Sequence, residues 1–269
     1  MKNLPISWEK EMLVARDAAR KAGKEIKALL GRVLEVRKKG AIDLVTDADF
    51  QAEKAILDTI RSHFPQDSIL TEESGRHEAS PERVWIVDPL DGTTNFAHAL
   101  PFYAVCIAFQ AAGRSVLGLV LDPERDECFE ARESEGAFLN GTPIRVSRTA
   151  TLMESLVATG FPYSVHEGAG SIVRRLQQVL VQAQGIRRLG SAALDLCYVA
   201  AGRFEAYWEE GLKPWDTAAA AVIVKEAGGR LTDYEGNPYS PGLSTVVASN
   251  GLVHEAILEA LRLHEPGKQ

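Results

Sequence analysis

Apolar residues in the first quarter of the chain recur with helical spacing. Between residues 8 and 30 they lie three or four positions apart, for example at Met12, Ala15, Ala19, Ala22 and Ile26. This spacing predicts an amphipathic helix that ends at Gly31. A second helix is predicted from about Asp47 to Phe64, because Pro65 halts it. The short apolar runs 33–36 and 41–46, between the two helices, predict a pair of strands.

Beyond residue 100 the apolar residues form short continuous runs instead. Three of these runs, 103–110, 115–121 and 128–131, are separated by turn residues at Gly113 and at Asp122-Pro123. Runs of this length between turns are typical of β-strands. The segment therefore predicts successive strands of an antiparallel sheet.

After residue 149 predicted strands alternate with predicted helices. The strands are 156–159, 186–189, 204–208 and 245–248, and the helices are 165–182, 191–201, one capped by Asp216, and 252–263. The whole order predicts an α+β half, residues 1–150, joined to an α/β half, residues 151–269. No flexible linker separates the halves, so we expect one compact unit.

The segment 84–96 carries the strongest indication of function. Its apolar run, 84–87, predicts a buried strand that ends at Asp88, where Pro89 breaks the ladder. A second carboxylate follows at Asp91, and Gly92 opens a polar turn. Two carboxylates at the end of a strand can share hard cations, and the N–H groups of the turn can face an anion. A capped turn without a ligand is the structural alternative.

Three other segments place acids beside predicted elements. Asp216 precedes an apolar helix as its N-cap, Glu72 and Glu73 follow a short strand, and Asp49 and Glu53 lie in the helix that begins near residue 47. Helix capping or a solvated loop explains each of them when it is considered alone. Their order along one chain favours a common site for metal ions and phosphate.

That order resembles the inositol monophosphatase family of magnesium-dependent, lithium-sensitive phosphatases. The residues that carry the resemblance are Asp43-x-Val45-Thr46-x-x-Asp49-x-x-x-Glu53, Glu72-Glu73-Ser74, Asp88-Pro-Leu-Asp91-Gly-Thr-Thr-Asn-Phe96, Gly190-Ser-Ala-Ala193, Glu209, Trp215-Asp216 and Glu226-Ala-Gly-Gly229. The resemblance implies the layered α-β-α-β-α sandwich of the inositol monophosphatase and fructose-1,6-bisphosphatase type, with metal ions between its halves.

The resemblance also implies a magnesium centre of two or three ions. Glu72, Asp88 and the carbonyl of Leu90 would hold the first ion. Asp88, Asp91 and Asp216 would hold the second, so that Asp88 bridges the two. Oxygen ligands of this kind suit magnesium.

Catalytic and substrate-binding roles follow from the same resemblance. Asp49 and Thr93 would orient and deprotonate the attacking water, with a third ion near Glu72. The phosphate would lie on the amides of Gly92 and Thr93. The residues expected to contact substrate are Asp91, Gly92, Thr93, Ser191, Ala192, Glu209 and Asp216.

Composition narrows the class of protein. The 269 residues are 45% hydrophobic, enough for a large core, and the net charge of −7 disfavours direct nucleic-acid binding. Cys106, Cys128 and Cys197 are widely spaced and predict free thiols in a reducing cytoplasm. No apolar run approaches the ~20 residues that span a bilayer, so we expect no membrane partner. The resemblance adds a homodimer acting on a small phosphorylated polyol or sugar.

Other interpretations remain open at this point. Phosphatases with an aspartyl-phosphate intermediate use a motif that superficially resembles 88–93, but here two residues separate the acids. A regulatory or interaction protein on a phosphatase fold is an alternative of another class. Within the resemblance, inositol monophosphate is the favoured substrate, with fructose 1,6-bisphosphate and adenosine 3′,5′-bisphosphate as alternatives.

Overall fold

The computed structural model describes residues 7–31, 36–38 and 44–263 of the chain. Its α-helices are α1 (Glu9–Leu29), α2 (Asp47–His63), α3 (Thr93–Ala97), α4 (Gly170–Leu180), α5 (Ala192–Ala200), α6 (Pro214–Glu226) and α7 (His254–Leu261), with 3-10 turns at Leu152–Glu154 and Val165–Glu167. None of the described helices combines the length and the apolar character needed to cross a membrane.

The strands form two large sheets and one small pair. They are β1 (Val36–Lys38), β2 (Leu44–Thr46), β3 (Ser68–Thr71), β4 (Arg76–His77), β5 (Arg83–Asp91), β6 (Ala104–Ala111), β7 (Arg114–Asp122), β8 (Glu127–Arg132), β9 (Gly136–Leu139), β10 (Thr142–Ile144), β11 (Leu156–Thr159), β12 (Gly185–Arg187), β13 (Ala206–Glu210), β14 (Arg230–Thr232) and β15 (Thr245–Ser249). The eight-stranded sheet has the order β10-β9-β8-β7-β6-β5-β3-β4, and the five-stranded sheet has the order β12-β11-β13-β15-β14. β1 and β2 pair with each other.

Five layers result from the way helices cover these sheets. α1 and α2 pack on one face of the eight-stranded sheet, and α5 and α6 fill the space between the two sheets. α4 and α7 cover the outer face of the five-stranded sheet. The predicted α-β-α-β-α sandwich is confirmed.

Small residues let the middle layer approach the first sheet closely. α6 is rich in buried alanines, and Ala219 lies against Gly118 of β7. A Cβ atom at Gly118 would lie 2.1 Å from the carbonyl oxygen of Ala219. The contact between α6 and β7 therefore requires glycine at this position. Because of this contact, α6 packs directly on the sheet that carries Asp88.

β5 differs from the prediction at its end. The strand does not stop at Asp88 but runs to Asp91, with a register shift between the two acids. On β6 their partners, Cys106 and Ala104, are two residues apart, so β5 carries one extra residue. Pro89 has no N–H to give to the ladder, which accounts for a bulge at this place.

Further differences concern the second half of the chain. The predicted helix 165–182 is a 3-10 turn followed by α4, which begins only at Gly170. Asp216 lies at the third helical position of α6, because Pro214 begins the helix and Lys213 precedes it. The five-stranded sheet is mixed, since β11 is parallel to β12 and β13 while β15 is antiparallel to its neighbours.

Most of the other elements agree with the sequence to within a few residues. Sequence analysis missed β4, β9, β10 and β14, which are only two to four residues long. Cys106, Cys128 and Cys197 are free; Cys106 and Cys197 are buried, and Cys128 is half-buried. Asp43 and parts of the predicted strands 33–36 and 41–46 lie outside the described residues.

His254 ties α7 to the neighbouring strands. The ring is fully buried, with Nε2 2.9 Å from the Thr232 hydroxyl oxygen and Nδ1 2.8 Å from that of Ser249. Burial, assisted by the positive charge of Arg230, lowers the pKa of His254 to about 4. The ring is therefore neutral in the folded protein at pH 7.

We expect His254 to make the protein less stable as the pH falls from about 6.5 towards 4. Within this window His254 is protonated in the unfolded chain, whose ordinary histidine pKa is about 6.5, but stays neutral when folded. The unfolded state then binds more protons, which lowers its free energy relative to that of the folded state.

Urea unfolding of the wild type and of His254→Gln, from about pH 7.5 to about pH 4.5, tests this prediction. The glutamine keeps a hydrogen-bonding side chain but does not titrate. The advantage of the wild type should shrink as the pH falls, and a difference that is independent of pH would contradict the assignment.

Candidate active site

Two of the predicted acids are placed by the end of β5. Strict alternation along a strand would send side chains three positions apart to opposite faces. The extra residue between Asp88 and Asp91 changes this, so both acids point towards the layer of α5 and α6, as Ile86 does. Asp88 is 1% exposed, and its Oδ1 accepts the N–H of Leu90 at 3.0 Å.

The start of α5 holds Asp91. Its Oδ2 accepts the hydroxyl of Ser191 at 2.5 Å and the N–H of Ala193 at 2.9 Å. Ser191 caps the helix at the same time, because its Oγ also accepts the N–H of Leu194. An acid of the first sheet is thus fixed by the N-terminus of a helix from the middle layer, as expected for a negative charge.

Asp216 joins the site from the start of α6. Its Oδ2 accepts the N–H of Lys213 at 2.7 Å, so the side chain turns back to satisfy the helix entrance. This is the capping-box arrangement, in which the third helical residue serves the residue before the helix. This hydrogen bond holds the carboxylate at the N-terminus of α6 and away from solvent.

Glu72 lies in the loop after β3, and Glu53 of α2 holds that loop. Oε2 of Glu53, which is 4% exposed, lies 3.1 Å from the N–H nitrogen of Glu73 and 3.4 Å from that of Ser74. These two amides belong to the two residues that follow Glu72 in the loop. Glu53 therefore positions the loop that carries the predicted metal ligand.

Burial and mutual repulsion dominate the electrostatics of these acids. Burial raises the pKa of Asp88 well above its usual range, and the charges of Glu72, Asp91 and Asp216 raise it further. Burial also raises the pKa of Asp91 to about 6 and that of Asp216 well above its usual range. Opposite charge placed nearby would reverse these shifts. The cluster therefore favours a cation.

The chemistry of the donors fits magnesium. The side chains supply only oxygen atoms, which hard cations prefer. Among the described residues no three His, Cys, Asp or Glu side chains already surround one point as ligands. The acids are instead anchored one by one, through the hydrogen bonds described above.

Asp49 and Thr93 form a hydrogen-bonded pair beside the acid cluster. The Thr93 hydroxyl lies 3.0 Å from Oδ1 of Asp49 and 2.9 Å from the carbonyl oxygen of Leu90. Oδ2 of Asp49 accepts the N–H of Thr46 at 2.8 Å and its hydroxyl at 2.7 Å. Burial raises the pKa of Asp49 to about 6, against the opposing effect of these hydrogen bonds.

Gly92 links this pair to the rest of the cavity. Its φ of 94° lies in the left-handed region that glycine adopts without cost. A Cβ atom there would lie 3.1 Å from the carbonyl oxygen of Phe102 and 3.2 Å from that of Gly190. Asn95, one turn further, donates to the carbonyls of Phe102 and Leu189, both at 2.8 Å. These contacts join the turn after β5 to the approach to α5.

Glu209 approaches the cavity from the second sheet. It lies two residues after Tyr207 on the same face of β13, and the Tyr207 hydroxyl donates to its Oε2 in a short hydrogen bond. Burial raises the pKa of Glu209 to about 7. Gly160 lies so close to this carboxylate that a Cβ atom at position 160 would be only 2.0 Å from Oε2.

These groups meet at a cavity of about 240 Å³ between the two sheets. The predicted site residues that line it are Glu72, Asp91, Gly92, Ser191, Ala192, Glu209 and Asp216. Asp49, Asp88, Leu90 and Thr93 are buried next to it. The structure therefore brings every predicted site residue to one region.

Sequence reasoning missed several residues that line the cavity. Asp195 and Gly160 carried no prediction, although Asp195 is the only acid in the apolar helix α5 and that isolation was a usable signal. Arg188 and Trp215 were not among the predicted site residues, yet both line the cavity. Trp215 also packs against the core between the sheets.

The layered sandwich is the fold of known SuhB proteins. The crystal structure of the extragenic suppressor protein SuhB from Bartonella henselae matches with a TM-score of 0.91 at 40% identity, covering 94% of this chain and 98% of that chain. The similarity includes both sheets and the helical layer between them.

The chain belongs to the inositol monophosphatase family. The family model matches residues 8–265. A relative from Synechocystis, named inositol-1-monophosphatase, is 44% identical over 250 residues, which cover 92% of this chain and 87% of that protein. Another, named Nus factor SuhB, from Salmonella typhimurium, is 42% identical over 254 residues, covering 93% of this chain and 95% of that protein.

We expect Gly160→Ala to destabilise the protein. The added methyl group must displace the Glu209 carboxyl, which is buried and held by Tyr207. Overpacking of this kind costs roughly 1–3 kcal/mol, which lowers the melting temperature of a chain of this size by about 2–4 °C per kcal/mol.

Gly170→Ala is the matched control, because nothing lies within 4 Å of a Cβ atom at that position. Calorimetric melting of both variants measures the effect. Equal melting temperatures for the two variants would show that Glu209 moves aside freely.

Proposed function

We propose that this protein is a magnesium-dependent phosphomonoesterase that hydrolyses myo-inositol 1-phosphate to myo-inositol and phosphate. The observation that carries the proposal is the group of buried acids, Glu72, Asp88, Asp91 and Asp216, whose charges act on one another beside a cavity. The family of the chain and the relative named inositol-1-monophosphatase support this activity.

The proposed metal sites use these acids in overlapping sets. Glu72, Asp88 and the Leu90 carbonyl would hold one magnesium ion, and Asp88, Asp91 and Asp216 would hold the second. A third ion would bind near Glu72. Asp88, which is 1% exposed, is repelled by all three of the other acids, as expected for a carboxylate placed between two ion sites.

Magnesium bound there supplies two effects, because it polarises the phosphoryl oxygens and lowers the pKa of the attacking water. Thr93 orients that water, since its hydroxyl is fixed by Asp49 and Leu90. The water oxygen forms a bond to phosphorus while the ester P–O bond breaks. A proton passes by way of Thr93 to Asp49, whose pKa of about 6 suits an acceptor near neutral pH, and the leaving alkoxide takes a proton from solvent.

Substrate lies across the cavity in this proposal. The phosphate would rest on the amides of Gly92 and Thr93, close to the carboxylates of Asp91 and Asp216 that would hold metal. Gly92 suits this contact because no side chain comes between its backbone and an anion. The alcohol contacts Glu209 and the backbone at Ser191–Ala192, which line the same cavity.

Fructose 1,6-bisphosphate and adenosine 3′,5′-bisphosphate are the alternative substrates. The Gly190-Ser-Ala-Ala193 element and the compact chain favour inositol monophosphate. Rates of phosphate release from the three esters with magnesium distinguish them, and the highest kcat/KM identifies the preferred class.

A second function is favoured by the name of one relative. The Salmonella protein at 42% identity is named Nus factor SuhB, so we propose that a non-catalytic role accompanies catalysis. A non-catalytic binding role depends on the folded surface of the protein and does not require the metal ligands. A variant without activity that retains it in a binding assay would separate the two functions.

We expect Asp91→Asn to lower phosphatase activity at least roughly 100-fold. The substitution removes a charge that the proposal places on the second magnesium ion and next to the phosphate. Removal of metal with EDTA should abolish the activity of the wild type, and added magnesium should restore it. Steady-state rates on myo-inositol 1-phosphate measure both effects.

The matched control is Asp17→Asn, which changes a half-exposed carboxylate on α1 that pairs with Lys21 and should keep the wild-type rate. Full activity in EDTA would refute the metal sites. In the same assay, lithium should inhibit more strongly than sodium at equal ionic strength, because a small cation can occupy the second site.

We also expect a homodimer with one complete site in each subunit. Helices of the same chain cover both faces of the eight-stranded sheet, so the sheet itself does not require a partner. The prediction is supported by the family resemblance and by the prevalence of two-fold dimers. Sedimentation equilibrium of active protein tests it. A single active species at the monomer mass of 29.3 kDa would contradict it.

A further inference from the structure

One acid of the cavity has no part in the proposed chemistry. Asp195 lies in the first turn of α5, is 1% exposed, and lines the cavity with Glu209. The charge with the largest effect on it is that of Glu209 on the second sheet, and that of Asp91 on β5 comes next. Its carboxyl therefore lies near the part of the cavity that the proposal assigns to the alcohol.

Asp195 has an unsatisfied hydrogen-bonding atom. Within the described part of the chain, its Oδ1 is buried and has no hydrogen-bond partner. A buried polar atom without a partner costs roughly 1–3 kcal/mol, so native structures rarely retain one without a reason. An atom of this kind beside an open cavity indicates a group that arrives with a ligand.

The surroundings restrict what that group can be. Burial raises the pKa of Asp195 well above its usual range, and the charges of Glu209 and Asp91 raise it further. This shift favours the protonated carboxyl, which offers both a donor and an acceptor. Glu209, already bound by Tyr207 at one oxygen, is the neighbouring acceptor.

A hydroxyl group matches this pair best. It donates one hydrogen bond and accepts another, so a single hydroxyl can donate to Glu209 and accept from Asp195. A second phosphate would lie beside Glu209, and the negative charge of that carboxylate would oppose it. Arg188, whose charge acts on both carboxyls, lines the same cavity and keeps this region from becoming a further cation site.

We propose that Asp195 and Glu209 together bind a hydroxyl of the leaving alcohol, and that Asp195 is a specificity-determining residue for polyol phosphates. The inference deepens the proposed function and rests on it. Gly160 is part of the arrangement, because its lack of a side chain leaves room for the Glu209 carboxyl. Esters whose alcohol carries no further hydroxyl group cannot form hydrogen bonds with Asp195 and Glu209, so this pair does not strengthen their binding.

The test compares Asp195→Ala and Asp195→Asn with the wild type on two esters. One is myo-inositol 1-phosphate, and the other is phenyl phosphate, whose alcohol has no further hydroxyl. The ratio of their kcat/KM values should fall about tenfold in the alanine variant, the value of one hydrogen bond. The loss should appear mainly in KM, and the asparagine variant, whose amide both donates and accepts, should recover most of the ratio.

Gln178→Ala is the matched control. Gln178 is the other residue of the described chain with a buried side-chain atom that lacks a partner, and it lies on α4, outside the cavity. This variant should keep the wild-type ratio. A ratio in Asp195→Ala within about twofold of the wild type, with folding intact by circular dichroism, would overturn the inference.

Binding of myo-inositol itself provides a measurement without turnover. Calorimetric titration in the presence of magnesium and inorganic phosphate should show about tenfold weaker binding to Asp195→Ala than to the wild type or to Gln178→Ala. If neither ester is hydrolysed but this difference appears, the phosphatase proposal fails and the hydroxyl site stands. Equal binding by all three proteins would overturn the hydroxyl site.

Discussion

The concentration of buried negative charge around Asp88 is the constraint on which the rest of the site depends. Burial alone raises the pKa of this carboxyl well above its usual range, and three neighbouring acids raise it further. The hydrogen-bond donors that hold Asp88, Asp91 and Asp216 are backbone amides and a hydroxyl. Such donors are neutral, so they position the acids without cancelling their charge, and a bound cation is left to do so.

The layered fold is what brings these acids together. Asp91 comes from the first sheet and is fixed by α5, while Asp216 comes from α6, and both helices lie between the sheets. Close packing of α6 on Gly118 keeps that middle layer near β5. The second sheet adds Glu209 from the other side, so one cavity combines the acids proposed to hold metal with the region proposed for the alcohol.

Much of this could be predicted from the sequence, because the relevant signals are local. Helical spacing located α1 and α2 to within about two residues of their observed ends. The predicted helix 191–201 also agrees with α5 to within one residue at each end. For α6 the predicted cap was wrong, because the helix begins at Pro214 and Asp216 is its third residue. The strands β9, β10 and β14 were missed because runs of three or four residues are too short to show a clear period.

By itself, the sequence determined the main elements, the family and the set of acids, since each depends on residue types at fixed spacing along the chain. Tertiary structure alone decided how those acids face one another. The bulge after Asp88 turns Asp91 to the same side of β5, and this requires pairing with β6, whose register is a long-range contact. The position of Asp195 was also decided by tertiary structure. It is the one acid of an apolar helix, and the proposed role depends on Glu209, which the second sheet places near it.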